Sequence, residues 1–397
     1  MRIFIAWESS DEIETMESFL NIGDNSTVGF KEEAPLVKAL REQPTCDVLL
    51  LSLNFPTPDE SYGVFQRLRQ ANPDVPIVGA YSPGEIGRLA KFMLAGLHTH
   101  VMRDAAGEFI MLLTTVLEAA HQAVQARRAQ LLADKLREEV ESVRQLQESV
   151  IPQSLPQIPG YKILARYEPS QIQVIGDRPV VMAGGDYYDA FRLGETLVLM
   201  LGDAAGHGVK ACMSIMTMHT LIGMIRAQTY GDTAEFVHDV NNRLCKSSIV
   251  AGDAGGFITL LYGSLDLQKH ELQWTSAGHP LPLIHNLETN EVKAMGTAEQ
   301  AGLPLVVAED WTYPSVRSFL PPRSRVLMYT DGLEEAFPND NERHRQFGVT
   351  GIIRTLQDCH DKPLEDVLQA LFDESNKATH GAGRLDDTSI MLVERTE

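Results

Sequence analysis

The chain has 397 residues, room for two or three domains, with an ordinary globular composition of 44% hydrophobic and 22% charged residues. Its formal net charge of −20 repels phosphate backbones and anionic lipid, which argues against direct binding to nucleic acid or to a membrane surface. The cysteines Cys46, Cys212, Cys245 and Cys359 are scattered without a Cys-x-x-Cys pair, no apolar run reaches membrane-spanning length, and the opening "RIFIAW" lacks a signal-peptide pattern. Disulfide scaffolds, zinc sites of the cysteine type and membrane spans are therefore not expected, and the expected location is the cytoplasm.

Residues 1–120 alternate short apolar strands with amphipathic stretches: "RIFIAW", "DVLLLSLNFP", "VPIVGAY" and a weaker "LHTHVMR". Such alternation predicts an α/β domain whose parallel sheet is covered on both faces. The frame resembles a bacterial response-regulator receiver domain, which is flavodoxin-like, but the chemistry of that pocket is degraded. Where a receiver carries an acidic pair after its first strand, this chain reads Trp7-Glu8-Ser9-Ser10-Asp11. Ser52 stands at the position of the phosphorylated aspartate, Tyr81 at the switch position and Arg103 at the lysine position. The resemblance implies a pseudo-receiver that takes its input from an upstream regulatory protein rather than from aspartyl phosphorylation.

Residues 112–150 carry a long helical pattern free of proline and glycine. Leu132, Leu136, Val140, Val143, Leu146 and Val150 recur every three or four positions and form one stripe. A parallel coiled coil in a homodimer is the expected use of that stripe, with packing on one of the chain's own domains as the alternative. "IPQSLPQIPG" ends the helix. The expected division is a pseudo-receiver over 1–120, a helical coiled-coil linker over 121–156 and a third domain over 157–397.

In that third domain, strands such as "TLVLMLGD", "FITLLYGSLD", "ELQWTSAG", "SRVLMYTDG" and "DDTSIMLVE" mix with helical stretches, an α+β pattern. Asp186, Asp203, Asp331 and the pair Asp386-Asp387 all fall at strand ends. One such aspartate is usually a cap or turn residue. Several in one domain repel one another unless cations lie between them, and carboxylates with backbone carbonyls suit hard Mg²⁺ or Mn²⁺. Two such ions about 3.5–4 Å apart lower the pKa of bound water enough to make a nucleophile at neutral pH.

The motifs "GGDYYD", "GDAAGHG", "SAGHPLPL", "YTDGLEEA" and "DDTSIML" follow in that order. Together they resemble the metal-dependent PPM (type 2C-like) serine/threonine phosphatases of the bacterial stress-response and sporulation branch, the SpoIIE/RsbU class, over roughly residues 146–396. The resemblance implies a β-sandwich flanked by helices. It implies Mn²⁺ or Mg²⁺, two ions, held by Asp186, Asp203, the Ala204 carbonyl, Asp331 and Asp386. Gly185, Asp387 and His207 are implied to lie around those ligands or on the substrate side, and His279 reads as structural. The stretch 171–183, with Asp177, looks like an insertion beside Asp186. The implied activity is hydrolysis of a phosphoprotein, an anti-sigma-factor antagonist or similar protein. The alternative is a non-catalytic adaptor or sigma-factor-binding regulator that keeps the fold and loses the metal ligands. A diguanylate cyclase is disfavoured because Tyr187-Tyr188 follow Gly-Gly-Asp and the other motifs have no place there.

Overall fold

The structure is a computed structural model; it describes all residues except 43–45, 105–106, 175–177, 182–183, 207, 252–255, 339–343 and 382, together with the side chains of 171–183. The chain divides into two compact units, Met1–Leu136 and Arg137–Glu397.

In the first unit β1 (Arg2–Ala6), α1 (Ser10–Leu20), β2 (Ser26–Phe30), α2 (Glu33–Arg41), β3 (Val48–Ser52), α3 (Ser61–Ala71), β4 (Ile77–Tyr81), α4 (Ile86–Leu94) and β5 (Thr99–Met102) alternate in sequence. The strands pair in parallel in the order β2-β1-β3-β4-β5, which is the flavodoxin-like doubly wound order. Strand periodicity assigns the two layers. Phe4, Ala6, Leu49 and Leu51 face a core with Leu36, Val64, Phe65 and Phe92 from α2, α3 and α4. Ile3, Ile5, Val48, Leu50, Val78 and Ala80 face the opposite core with Ile13 and Met16 of α1. A further helix, α5 (Ile110–Val150), starts in this unit and supplies Leu113, Leu117 and Ala120 to that second core. Strand β2, "STVGF", does not stand out among the apolar runs because it is a half-buried edge strand carrying a glycine.

The carboxyl ends of β1, β3 and β5 meet around Arg103. Its guanidinium donates to Glu8 Oε1 at 2.6 Å, to Ser52 Oγ at 3.1 Å and to Glu12 Oε2 at 2.8 Å, and its centre stands 4.5 Å from the Trp7 ring. Burial would raise the Glu8 carboxyl, but the hydrogen bonds from Arg103 and Ser52 outweigh it and hold the group below its ordinary value. Tyr81 takes part through its backbone, its carbonyl accepting from the Arg103 amide at 2.7 Å, while its ring lies 5.5 Å from that of His100.

The second unit contains β6 (Tyr161–Glu168), β7 (Gln171–Val174), β8 (Arg178–Val181), β9 (Asp186–Leu193), β10 (Thr196–Ala204), α6 (Val209–Ile225), α7 (Thr233–Cys245), β11 (Ile258–Asp266) and β12 (Glu271–Ala277). It continues with β13 (Leu283–Asn286), β14 (Glu291–Ala294), β15 (Val316–Phe319), β16 (Ser324–Tyr329), α8 (Gly348–Asp358), α9 (Leu364–Ala378) and β17 (Thr388–Arg395). Among the described residues two antiparallel sheets form, β15-β12-β11-β10-β9 and β14-β13-β16-β17-β6, and β7 pairs with β8 in a separate hairpin at the predicted insertion.

Alternation along each strand again sets the layers. Leu197, Leu199 and Leu201 of β10 meet Val326, Met328, Met391 and Val393 of the other sheet between the two. Val198, Met200 and Ala204 point the other way, onto Ile215 and Met218 of α6 and Phe236 and Val240 of α7. Leu327, Tyr329, Ile390 and Leu392 likewise meet Ile352, Leu356, Leu371 and Phe372 of α8 and α9. The result is helices, sheet, sheet, helices, with β10 apolar on both faces because both are covered.

The stripe on α5 has two fates. Val150 packs against the α6–α7 core of the second unit, and Val140 and Val143 are half-buried. Leu132, Leu136 and Leu146 are exposed. The compact units divide inside this helix, between Leu136 and Arg137, so its last turns belong with the second unit.

Replacing Arg103 with Met keeps the length of the side chain and removes the counter-charge of Glu8. The expected cost is about 2 kcal/mol at neutral pH, the scale of a charged hydrogen-bonded group left without its partner. Because the folded Glu8 value lies below its ordinary 4.5, this contribution is full above that value and is lost as pH falls through the folded one. Denaturant unfolding of wild type and Arg103→Met should thus differ at neutral pH and converge in acid, once Glu8 is protonated in the folded state as well. A gap independent of pH would assign the role of Arg103 to packing alone.

Candidate active site

The two sheets of the second unit deliver their acidic residues to neighbouring strand ends. Asp186 opens β9, Asp203 is the penultimate residue of β10, and the two stand opposite each other in the antiparallel register. Asp331 follows β16 in a short turn of 3₁₀ helix, and Asp386 and Asp387 immediately precede β17. Sheet pairing places β16 beside β17, with Tyr329 opposite Ile390.

Hydrogen bonds tie the sheets together here. Thr330 Oγ1 donates to Asp186 Oδ2 at 2.7 Å and accepts from the Ser389 amide at 2.8 Å. Asp387 faces the backbone: its carboxylate accepts from the Ser170 amide at 2.7 Å and from the Gly185 amide at 2.6 Å. Asp386 Oδ1 accepts from the Asp387 amide at 2.8 Å. The Gly185 carbonyl accepts from the Ala204 amide at 2.9 Å. A Cβ on Gly185 would lie 2.5 Å from the Ala204 carbonyl oxygen and 3.2 Å from Asp203 Oδ1, so only glycine allows this approach of β9 to β10. Gly208, with φ of 87°, turns the chain into α6.

Electrostatics mark the same residues. Asp186 and Asp387 are buried, and Asp203, Asp331 and Asp386 are partly so. Burial, followed by repulsion from Asp203 and Asp387, drives the Asp186 carboxyl well above the usual carboxylate range. Asp203 is raised by burial and then by Asp331, Asp386 and Asp387. Asp331 is raised by burial and by Glu335, and Asp386 is pushed up to about 7 by burial and Asp331. Burial raises Asp387 as well, against the pull of its amide hydrogen bonds. Each carboxyl raises the cost of ionising its neighbours, and a divalent cation among them would reverse that cost.

The donor chemistry fits such a cation: hard carboxylate oxygens, with the Ala204 carbonyl close to Gly185 and Asp203. Among the described residues, however, no group of three or more His, Cys, Asp and Glu side chains is placed to hold a metal ion as it stands. The structure gathers the acids into one electrostatic cluster rather than into a closed cage.

Of the other residues singled out in the sequence, His207 and Asp177 lie outside the described residues. His279 is buried, with Nδ1 2.8 Å from Thr259 Oγ1, and burial pushes its ring down to about 3, so it is neutral. Thr259 stands opposite Asp203 in the β10–β11 register, which places His279 beneath the site as a packing residue. In the first unit Glu8, Ser52 and Arg103 come together as described above, and Tyr81 joins them only through its carbonyl.

Sequence reasoning missed Thr330, Ser170 and Gln147. Gln147, at the end of α5, accepts from the Gly184 amide through Oε1 at 2.6 Å and donates through Nε2 to the Asp186 carbonyl at 3.3 Å and to the Tyr167 hydroxyl at 3.4 Å. One signal was available: Gln147 shares a helical face with Val143 and Val150, and a polar residue inside an apolar stripe needs buried partners.

A family model described as Stage II sporulation protein E (SpoIIE) matches residues 194–396, just over half of the chain, beginning after the Gly-Gly-Asp segment. Protein IcfG of Synechocystis sp. (strain ATCC 27184 / PCC 6803 / Kazusa) is 26% identical over 282 residues, which is 65% of this chain and 41% of that protein. Phosphoserine phosphatase RsbU of Bacillus subtilis (strain 168) is 24% identical over 257 residues, 64% of this chain and 70% of RsbU. The match thus takes in less than half of the length of IcfG. Among solved structures, the SiaA-PP2C domain of Pseudomonas aeruginosa superposes with a TM-score of 0.53 at 20% identity, covering 67% of this chain and 99% of that domain, a likeness of fold. With its β-sandwich, its ordered aspartate motifs and the family match over half of its length, this chain belongs to the SpoIIE family of PP2C-type phosphatase domains.

Proposed function

We propose that the chain is a metal-dependent serine/threonine phosphoprotein phosphatase of bacterial signalling, acting in the cytoplasm under control of its N-terminal unit. The observation that carries this reading is the gathering of Asp186, Asp203, Asp331 and Asp386 at adjoining strand ends, where burial and mutual repulsion demand a counter-charge. The phosphoserine phosphatase RsbU among the relatives supports the same chemistry. An anti-sigma-factor antagonist or a similar small phosphoprotein is the proposed substrate.

In this reading Asp186, Asp203, the Ala204 carbonyl, Asp331 and Asp386 hold two Mn²⁺ or Mg²⁺ ions. The chemistry supplied with such ions bound would be activation of a water and neutralisation of charge on the phosphoryl group. The chain's own residues fix the geometry. Thr330 orients the Asp186 carboxylate from the opposite sheet. Asp387 spends its oxygens on the Ser170 and Gly185 amides, which makes it an organiser of the loop and leaves ligation to Asp386.

The N-terminal unit is proposed as a pseudo-receiver whose pocket is filled from within by Arg103, so that a bound upstream protein provides the input. The exposed Leu132 and Leu136 form the proposed homodimer seam on α5, shorter than the full stripe because Val150 is used by the second unit.

Hydrolysis of a phosphoserine protein and of an aryl phosphate should require Mn²⁺ or Mg²⁺ and stop with EDTA. Asp203→Asn should lower turnover by more than about 100-fold, beyond what outer partners of metal ligands cost. Its metal-free melting temperature should stay level or rise, because a charge leaves a repelling cluster. Full activity in EDTA would sink the metal reading, and no activity with either cation would favour a non-catalytic adaptor.

Acetyl phosphate should leave the N-terminal unit unlabelled, since Ser52 offers no carboxylate to form an acyl phosphate. Hydroxylamine-sensitive label within residues 1–120 would count against the pseudo-receiver reading.

Leu136→Asp should convert a dimer into a monomer in light scattering and change the basal rate, because the seam would have to desolvate an unpaired charge. Lys135→Glu, on an exposed position of the same turn, should do much less. A wild-type monomer at micromolar concentration would remove the seam.

A further inference from the structure

We infer that Gln147 is a positioning residue of the phosphatase site, a latch through which α5 holds the Gly184–Asp186 segment in register. The inference rests on the metal-dependent reading proposed above.

Gln147 is fully buried, which is unusual for an uncharged polar side chain on a helix whose neighbouring turns are largely exposed. Its amide has been given a specific task. Oε1 accepts from the Gly184 amide and Nε2 donates to the Asp186 carbonyl, so one side chain spans both ends of the Gly-Gly-Asp turn. Only a side-chain amide of this length carries a donor and an acceptor on one short fork. The Gly185 amide, between them, is taken by Asp387. The two glycines and Asp186 are therefore held from both sides, by α5 and by the loop before β17.

The helix is itself anchored at this level. The Val143 carbonyl accepts from Cys212 Sγ on α6 at 3.8 Å, and Val150 packs into the α6–α7 core. One helical turn to either side of Gln147 stand Val143, Val150 and Ile151, none of which can replace the two hydrogen bonds. A slide of α5 by one turn would exchange a paired Gly-Gly-Asp backbone for an unpaired one. The helix that carries the latch begins in the first unit, where its Leu113 and Leu117 are packed. Displacement of α5 is thus a direct way to weaken the seat of Asp186 and, with it, metal binding.

The test uses the full chain, with Mn²⁺ as the probe. Gln147→Met keeps the volume and removes both hydrogen bonds. Calorimetry should show Mn²⁺ bound about 10–100-fold more weakly, the usual effect of losing an outer partner of a metal ligand. Hydrogen exchange at the Gly184 amide should accelerate, and turnover lost at low Mn²⁺ should return at saturating Mn²⁺. Gln147→Asn, one carbon too short to span the turn, should behave alike and serves if the Met variant does not fold. Variants that bind Mn²⁺ as wild type does, or that keep Gly184 protected, overturn the latch. A wild type that binds Mn²⁺ without hydrolysing phosphoserine removes the phosphatase reading alone, while calorimetry and exchange still decide on Gln147. A wild type that binds no Mn²⁺ overturns both.

Discussion

Carboxylates buried side by side repel, and the architecture of the second unit follows from holding them there nevertheless. Asp186, Asp203, Asp331 and Asp386 come from two different sheets, so their separation depends on how the sheets pack. The layer of Leu199, Leu201, Met328 and Met391 behind them makes that packing dense and the strand ends stiff. Thr330 crosses between the sheets to Asp186, and Asp387 pins two backbone amides. The binding energy for this arrangement has to come from the whole sandwich, since the acids themselves oppose it.

The first unit meets a similar problem and solves it from its own sequence. Glu8 and Glu12 converge at the carboxyl end of a parallel sheet, and Arg103 lies between them with Ser52 and the Trp7 ring completing its contacts. A resident guanidinium supplies the pocket with its own counter-charge. The two units thus differ in where the counter-charge originates: it is built into the chain in the first, and on the proposed reading it comes from a bound cation in the second. That difference is the physical basis for the proposal that the first unit docks a partner while the second carries the chemistry.

Helix α5 serves both units with one continuous backbone. Its beginning packs Leu113 and Leu117 under the parallel sheet, and its end buries Gln147 and Val150 against the phosphatase-like sandwich. Between them, Leu132 and Leu136 remain exposed. A stripe that runs through three environments cannot be optimal for one alone. The apolar stripe near position 150 runs into a domain core, where Val150 packs, which shortens its exposed part.

Much was legible in the sequence. Short, nearly continuous apolar runs marked β1, β3, β4, β10, β16 and β17, since strands covered on both faces are apolar on both. The aspartates at strand ends announced their own cluster, because a carboxylate closing an apolar strand needs a reason to be there. The half-buried β2 was not legible, since an edge strand with a glycine lacks the pattern. Nor were the partners of the acids. Thr330 and Ser170 carry no signature of their own, and the place of Gln147 in the apolar stripe does not name its partners; the three roles arise because folding brings positions 144, 217 and 37 residues away from their partners into hydrogen-bonding distance. Residue type and local periodicity decided which groups the site contains. Which oxygen each amide meets, and which face of α5 is left open, depended on the packing of sheets and helix, a long-range property that no local pattern encodes.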